Sequence, residues 1–293
     1  MSTESEGIGV VICCTHSPNA IRSSLQTLLE SAAPKVRVLI VDRTATCRRA
    51  ALNPRAEILE VPPETSLPSM RLLGTRYFDD IHVLWLGDYV VPTERWMPTA
   101  CNSLEEGYGL VGGPVLNGLS GPAFHEAWYI AEYHDFCPPL TTGPEQSVAG
   151  CNVAINKSVV REIQSLPLDD RWDFLLFSEL RQSGVRTLRH PDMTVRLRTE
   201  IAFPEGLFQR FYFSRSIAAQ LRRSNPALNL LLAASRLLLP AILSWKLCRA
   251  TRQKLTVPWW HLGPFLGLIS LVWAAGEAVG YLTGVGRSMS RIK

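Results

Sequence analysis

Ile8-Gly-Val-Val-Ile-Cys-Cys-Thr15 and Val36-Arg-Val-Leu-Ile-Val-Asp42 are the two stretches that decide the fold. Each is a short apolar run, rich in β-branched residues, that stops at a polar side chain. Neither is an even alternation of apolar and polar residues, so both are expected to be strands covered on two faces, as in a parallel sheet. Between them lie a turn at Thr15-His-Ser-Pro-Asn19 and a helix carrying Ile21, Leu25, Leu28 and Leu29, which completes a βαβ unit. Ala56 to Val61 reads as a third strand ahead of Pro62-Pro63, Met70 to Phe78 as a helix, and His82-Val-Leu-Trp-Leu86 as a fourth strand ending at Gly87-Asp88-Tyr89. Strands alternating with helices predict an α/β fold with a mostly parallel sheet flanked by helices. In such sheets ligands bind beyond the carboxyl ends of the strands, and here those ends are marked by Thr15, Asp42 and Asp88.

Working outward, Leu110 to Leu116 is strand-like, Ala123 to Phe136 reads as an aromatic-rich helix, and Pro138 to Gly143 as a loop. Ala149-Gly-Cys-Asn-Val-Ala154 precedes a helix from Lys157. Then come the acidic stretch Asp169-Asp-Arg-Trp-Asp173, a helix through Leu175, Leu176 and Leu180 with its stop at Gly184, and a last strand near Met193 to Leu197.

The chain has 293 residues, 46% hydrophobic and 19% charged, which excludes disorder, a collagen and a coiled coil. The 30 Lys and Arg against 26 Asp and Glu exclude an obvious nucleic-acid binder, but the balance is uneven. Residues 1–200 hold 18 basic and 24 acidic side chains, and residues 201–293 hold 12 basic and 2 acidic. The chain is therefore divided into an acidic body, 1–200, and a basic, apolar C-terminal region, 201–293. Its seven cysteines are scattered, with no pair at zinc-ligand spacing, so neither a disulfide framework nor a zinc finger is expected. Met1 to Gly7 is polar and acidic and does not resemble a signal peptide, which predicts a cytoplasmic body.

Two apolar stretches in the tail, Leu228 to Leu247 and Leu262 to Val285, are each long enough for a hydrocarbon core of about 30 Å. Arg236 and Glu277 interrupt them, Pro240 weakens the first helix, and basic residues stand before, between and after them, Arg252, Lys254 and Lys293 included. Spanning the bilayer and lying in its plane against anionic lipids are equal expectations, and a pair of helices packed on protein is the third.

The order and spacing of the polar residues resemble the family 2 glycosyltransferases of GT-A fold, over nearly the whole chain. Val11 to Thr15 with Val38 to Asp42 looks like the family's opening strands, whose Thr and Asp line the nucleotide pocket. Arg71-Leu-Leu-Gly74 resembles an Arg-Asn-x-Gly turn with Leu72 in place of Asn, and Gly150-Cys-Asn-Val-Ala154 a Gly-x-Asn-x-Ala segment that brings Asn152 to the sugar site. Leu86-Gly-Asp-Tyr-Val-Val-Pro92, with Trp96 beyond, sits where the family carries Asp-x-Asp. Trp172-Asp173 sits where relatives carry Glu-Asp or Trp-Glu, and Glu132-Tyr133 resembles a pair in a bacterial subgroup. Phe211 to Ala219 and Trp273 to Gly284 look like segments of membrane-associated bacterial members.

The resemblance implies an inverting glycosyltransferase that moves a sugar from a nucleoside diphosphate sugar to a lipid-linked or polysaccharide acceptor at a membrane. It makes Asp173 the general base, with Asp169 and Asp170 as alternatives. It makes Thr15, Asp42, Arg71, Asp88 and Asn152 substrate contacts. A divalent metal, Mg or Mn, would lean on Asp88, the diphosphate and water, because Gly87 and Tyr89 offer no carboxylate. Each carboxylate has a plainer reading: Asp42 caps a turn, and Asp173 faces the positive end of its helix. Arg210 and Arg215 suit a diphosphate or equally a structural contact. Two other functions compete. One is a catalytically degenerate relative that binds nucleotide as the membrane-bound partner of an enzyme. The other is a dinucleotide-binding domain, disfavoured because residues 15–19 lack the glycines that admit a pyrophosphate to the backbone.

Overall fold

A computed structural model of the chain describes residues 7–31, 36–50, 52–140, 143–144, 147–251 and 258–292. Arg252, Lys254 and Lys293, and positions 141–142 of the loop expected at 138–143, lie outside the described residues. In chain order the elements begin β1 (Ile8–Cys14), α1 (Pro18–Ser31), β2 (Val36–Asp42), β3 (Ala56–Glu60), α2 (Leu67–Arg76) and β4 (His82–Gly87). They continue with β5 (Val90–Pro92), α3 (Trp96–Glu105), β6 (Leu110–Gly112), β7 (Val115–Leu116) and α4 (Ala123–Tyr133), which runs into a 3₁₀ turn, His134–Phe136. Next are β8 (Gly143–Pro144), β9 (Asn152–Ile155), α5 (Lys157–Ser165), α6 (Asp173–Gln182), β10 (Thr187–Arg189) and β11 (Val195–Leu197). The tail is helical: α7 (Phe203–Gln220), α8 (Pro226–Ser235), a 3₁₀ turn Arg236–Leu238, α9 (Leu239–Thr251), α10 (Trp259–Thr283) and α11 (Ser288–Arg291).

These elements form two compact units, one of residues 1–116 and 138–199, the other of residues 117–137 and 200–293. The first unit is built on an eight-stranded sheet of order β3-β2-β1-β4-β9-β6-β10-β8. It is α/β, a mixed sheet flanked by helices. β3, β2, β1 and β4 run parallel, whereas β9 is antiparallel to both β4 and β6. β1 from Gly9 and β2 from Val38 are buried on both faces, as their apolar runs require. The register sets Cys14 opposite Asp42 and Cys13 opposite Gly87, so three strands finish level and their following residues share one edge.

Local chemistry explains where boundaries differ from the sequence reading. α2 starts three residues early because Ser66 caps it, its Oγ accepting from Ser69 N at 3.2 Å, and Pro68 suits the first turn. The apolar run 110–116 is two strands, not one. It breaks at Gly113-Pro114, where a Cβ on Gly113 would press on the carbonyls of His190 and Met193. β7 thereby leaves the large sheet and joins β11 and β5 in a second, three-stranded sheet.

The second unit gathers α4 and the tail. Gly276 and Gly280, one turn apart on α10, let that helix lie on the backbone of α7, since a Cβ at either would overlap Ser214 or Ala218. Arg236 and Glu277 answer each other: Nη1 lies 2.8 Å from Oε2, while Glu277 Oε1 accepts from Trp273 Nε1 at 2.7 Å. Arg210 is buried between the rings of Trp128 and Trp273 and pairs with Glu132. Arg215 donates to Gly284 O at 3.0 Å, joining α7 to the end of α10. Pro226–Leu247 and Trp259–Thr283 are each long and apolar enough to cross a membrane, with mean hydropathies of 1.7 and 1.6.

Candidate active site

The first unit holds Thr15, Asp42, Arg71, Asp88, Asn152 and Asp173, whereas Glu132 and Tyr133 belong to the second; five of those six lie at the level ends of β1, β2 and β4 or on the helices facing them. Asp88, 1% exposed, turns back across the end of β1. Its Oδ2 accepts from Thr15 N at 2.7 Å, His16 N at 3.0 Å and Thr15 Oγ1 at 3.2 Å, and its Oδ1 lies 3.1 Å from His16 Nδ1. Burial alone would raise the Asp88 carboxyl; the hydrogen bond and charge of His16 and the two backbone N–H groups outweigh it and hold the group below its ordinary value.

Asp42 is also fully buried, and its oxygens are engaged by the loop that follows it. Oδ1 accepts from Thr44 N at 2.8 Å and Thr44 Oγ1 at 2.7 Å, and Oδ2 from Thr46 N at 3.0 Å and Cys47 N at 2.8 Å. These bonds overcome the opposing effect of burial and lower its carboxyl too. Asp42 thus organises residues 44–47 beside the crevice.

Asp173 opens α6 and is joined to the buried guanidinium of Arg71 on α2; their side chains are 13% and 6% exposed. Gly150 makes room for the pair, since a Cβ there would run into Asp173 Oδ2 and stand 3.0 Å from Arg71 Nη1. Burial would pull the Arg71 guanidinium down, but the charge of Asp173, with Cys13 and Tyr89 nearby, holds it above its ordinary range. Arg71 also lies over the Trp85 ring, 5.7 Å from its centre. Of the alternative carboxylates, Asp170 accepts from Ser66 and Ser69 and Asp169 pairs with Arg171.

These groups share a neighbourhood: Gly150, which lies against Asp173 and Arg71, precedes Cys151, whose carbonyl accepts from Gly87 N at 3.0 Å, one residue before Asp88. The Cys13 thiol is pushed up to about 12, chiefly by burial, and it feels Arg71, Asp88, Asp173 and Arg43 together. Arg43, His16 and Tyr89 were not singled out as site residues from sequence. Their signal was position: each directly follows a strand end or stands beside Asp88. Asn152, in contrast, lies inside. Its Oδ1 accepts from Trp96 Nε1 at 2.7 Å and its Nδ2 donates to Met193 O at 2.9 Å, tying β9 to α3 and to the approach of β11.

The residues present were tested against Mg or Mn. Asp88 is the one carboxylate of its turn, and both its oxygens already accept from residues 15 and 16. Gly87 cannot carry a side chain without meeting Cys151 and the Tyr89 ring at 3.0 and 3.1 Å. Among the described residues, the group of three whose ligand atoms cluster within 4.8 Å is Cys14, Asp42 and Cys47, all buried. Thiols are the wrong donors for a hard cation, and the Cys47 thiol is held protonated by its hydrogen bond to Cys14 and by burial. Neither set fits Mg or Mn.

No family model matches this chain, and no curated protein matches it. Solved structures do. A mannosyltransferase from Pyrobaculum calidifontis, solved in complex with GDP-Man and Mn2+, superposes with a TM-score of 0.60 at 15% identity, over 96% of this chain and 88% of that one. The chain has a glycosyltransferase fold. TarS from S. aureus is similar at a TM-score of 0.48 and 13% identity over 71% of this chain; the match spans 64%, under two thirds, of that chain.

Proposed function

We propose that this chain is a membrane-associated glycosyltransferase that moves a sugar from a nucleoside diphosphate sugar to a hydroxyl of a lipid-linked or polysaccharide acceptor. The observation that carries the reading is the Arg71–Asp173 pair, joined across 102 positions and set against Gly150, whose neighbour Cys151 accepts from Gly87 N beside Asp88, at the strand ends where ligands of open α/β sheets bind. The shared fold with a mannosyltransferase supports it.

In this reading Asp173 takes the proton of the acceptor hydroxyl, the acceptor oxygen attacks the anomeric carbon in line, and the nucleoside diphosphate leaves with its bonding electrons. The sugar inverts. Arg71 links the two halves of the reaction. A phosphate oxygen competes with Asp173 for its guanidinium, so donor binding loosens the base at the moment it is needed. Thr15 and the Asp42 loop line the nucleotide side. Residues 1–200 carry the chemistry and 201–293 the attachment to lipid. The second unit supports attachment: Leu230, Leu231, Leu237, Leu238, Trp245 and Trp260 are exposed, with Leu237 reaching 85%. A cytoplasmic face goes with the nucleotide donor.

The test is hydrolysis or transfer by the purified full chain across a panel of nucleoside diphosphate sugars. Turnover is expected with one donor, and Asp173→Asn is expected to lower kcat by 100-fold or more. Unchanged turnover in Asp173→Asn removes the base. A second reading, a nucleotide-binding partner without transfer activity, draws support from Gly87 and Tyr89 at the metal turn. Calorimetry separates it, since it requires nucleotide binding with no turnover on any donor.

A further inference from the structure

We propose that Asp88 positions His16 instead of holding a divalent cation, and that His16 Nε2 is the contact offered to the donor's diphosphate, so that nucleotide binds without a metal ion. This rests on the glycosyltransferase reading. The carboxylate is 1% exposed and the imidazole 23%, so the ring covers a buried anion and keeps part of its own surface open to solvent. Asp88 fixes the ring from behind: Oδ1 is 3.1 Å and Oδ2 3.2 Å from Nδ1, which also lies 3.1 Å from Thr15 Oγ1. Nε2 has no hydrogen-bond partner among the described residues, and it is not among the buried polar atoms.

The ring plane is set as well. Tyr89 meets the imidazole edge-on, with centroids 6.0 Å apart and planes at 75°. Thus the residue that denies a metal turn its second carboxylate braces the histidine instead. A ring whose Nδ1 is tied to a carboxylate and whose Nε2 meets a phosphate oxygen donates at both ends. The loop also needs such a side chain, because residues 15–19 contain no glycine to bring the backbone against a pyrophosphate. Two further cations are buried nearby: Arg43, which follows Asp42, and Arg71, which is paired with Asp173.

Titration calorimetry on the full chain decides the matter, using UDP, GDP, ADP, CDP and dTDP and their parent nucleosides, in EDTA and then with Mn2+. At least one diphosphate is expected to bind in EDTA with an affinity within about threefold of that in Mn2+. His16→Ala is expected to weaken the diphosphate at least tenfold while leaving the nucleoside unchanged, and His16→Lys to recover part of the loss. A merely structural His16 gives no lysine rescue and weakens nucleoside and diphosphate alike. Binding that Mn2+ tightens by more than about threefold overturns this inference and leaves the glycosyltransferase reading standing, as does wild-type affinity in His16→Ala. No binding of any nucleotide in either condition overturns both.

Discussion

Separating Arg71 from Asp173 is the most informative perturbation, because it asks whether the pair is a structural clamp as well as a part of the site. Removing one partner of a buried ion pair leaves an uncompensated charge at a cost of about 3–5 kcal/mol. With side chains 6% and 13% exposed, both members qualify as buried. Each variant keeps some compensation. In Asp173→Asn the Arg71 guanidinium retains the Trp85 face, 5.7 Å away, worth about 1 kcal/mol. In Arg71→Met the Asp173 carboxylate retains the start of α6, worth about 0.3–1 kcal/mol. Each single variant is therefore expected to lose about 2–4 kcal/mol, and Arg71→Met with Asp173→Asn less than the sum, giving a coupling of about 2 kcal/mol. Hydrogen exchange read on the β1 peptide, Ile8–Cys14, isolates the first unit from the second. A coupling below about 0.5 kcal/mol would refute the claim that the two side chains stabilise each other.

Other outcomes follow from the same geometry. Asp42 and Asp88 both have carboxyls held below the ordinary 3.8, so the stability they lend is complete above the unfolded pKa and is lost as pH falls through the folded value. Acid unfolding of the first unit, followed by the same β1 exchange, is thus expected below about pH 4, and Asp42→Asn should flatten that dependence. Gly74→Ala sets a methyl against Val11 and Val41, β-branched residues in buried strands that cannot yield, and should cost about 1–3 kcal/mol; a neutral result means α2 sits further from the sheet. In the second unit, Glu277→Ala strands Arg236 among apolar helices at about 2.5–3.5 kcal/mol. Partition into vesicles of anionic lipid should fall in that variant and recover in R236A/E277A, whereas equal partition of all three argues against the pairing.

β1, β2 and β4 were legible because each carries an apolar run bounded by a turn, a signal that needs no knowledge of its partners; β3, which contains Glu57 and Glu60, was read from its place ahead of Pro62-Pro63. The α2 start was missed because Ser66 and Pro68 act through capping geometry, which periodicity does not register. The split at Gly113 was missed for a similar reason. Only the approach of the His190 and Met193 carbonyls, almost 80 residues away, forces the chain to change sheets there. At the site, Asp42 and Asp88 could be named from strand ends, and Asp173 from the resemblance to the family 2 glycosyltransferases. Their partners could not, since Arg71–Asp173 spans 102 positions and the Asp88–His16 contact 72. The Arg236–Glu277 contact spans 41. Taken one at a time, those two charges argue against a lipid environment; taken together, they remove that objection.

The three carboxylates of the crevice differ in a way that bears directly on their roles. Asp42 is held by N–H groups of its own loop, and Asp88 by N–H groups of the β1 loop, so neither can be released without moving main chain. Groups fixed in that manner organise a pocket well, and they are poor places from which to exchange a proton. Asp173 is held by a side chain instead. A guanidinium can turn to a competing phosphate oxygen while the backbone of α2 stays where it is. Among these three, Asp173 is accordingly the one that an arriving diphosphate can release. That property, more than its place in a motif, is the physical reason for assigning proton transfer to it.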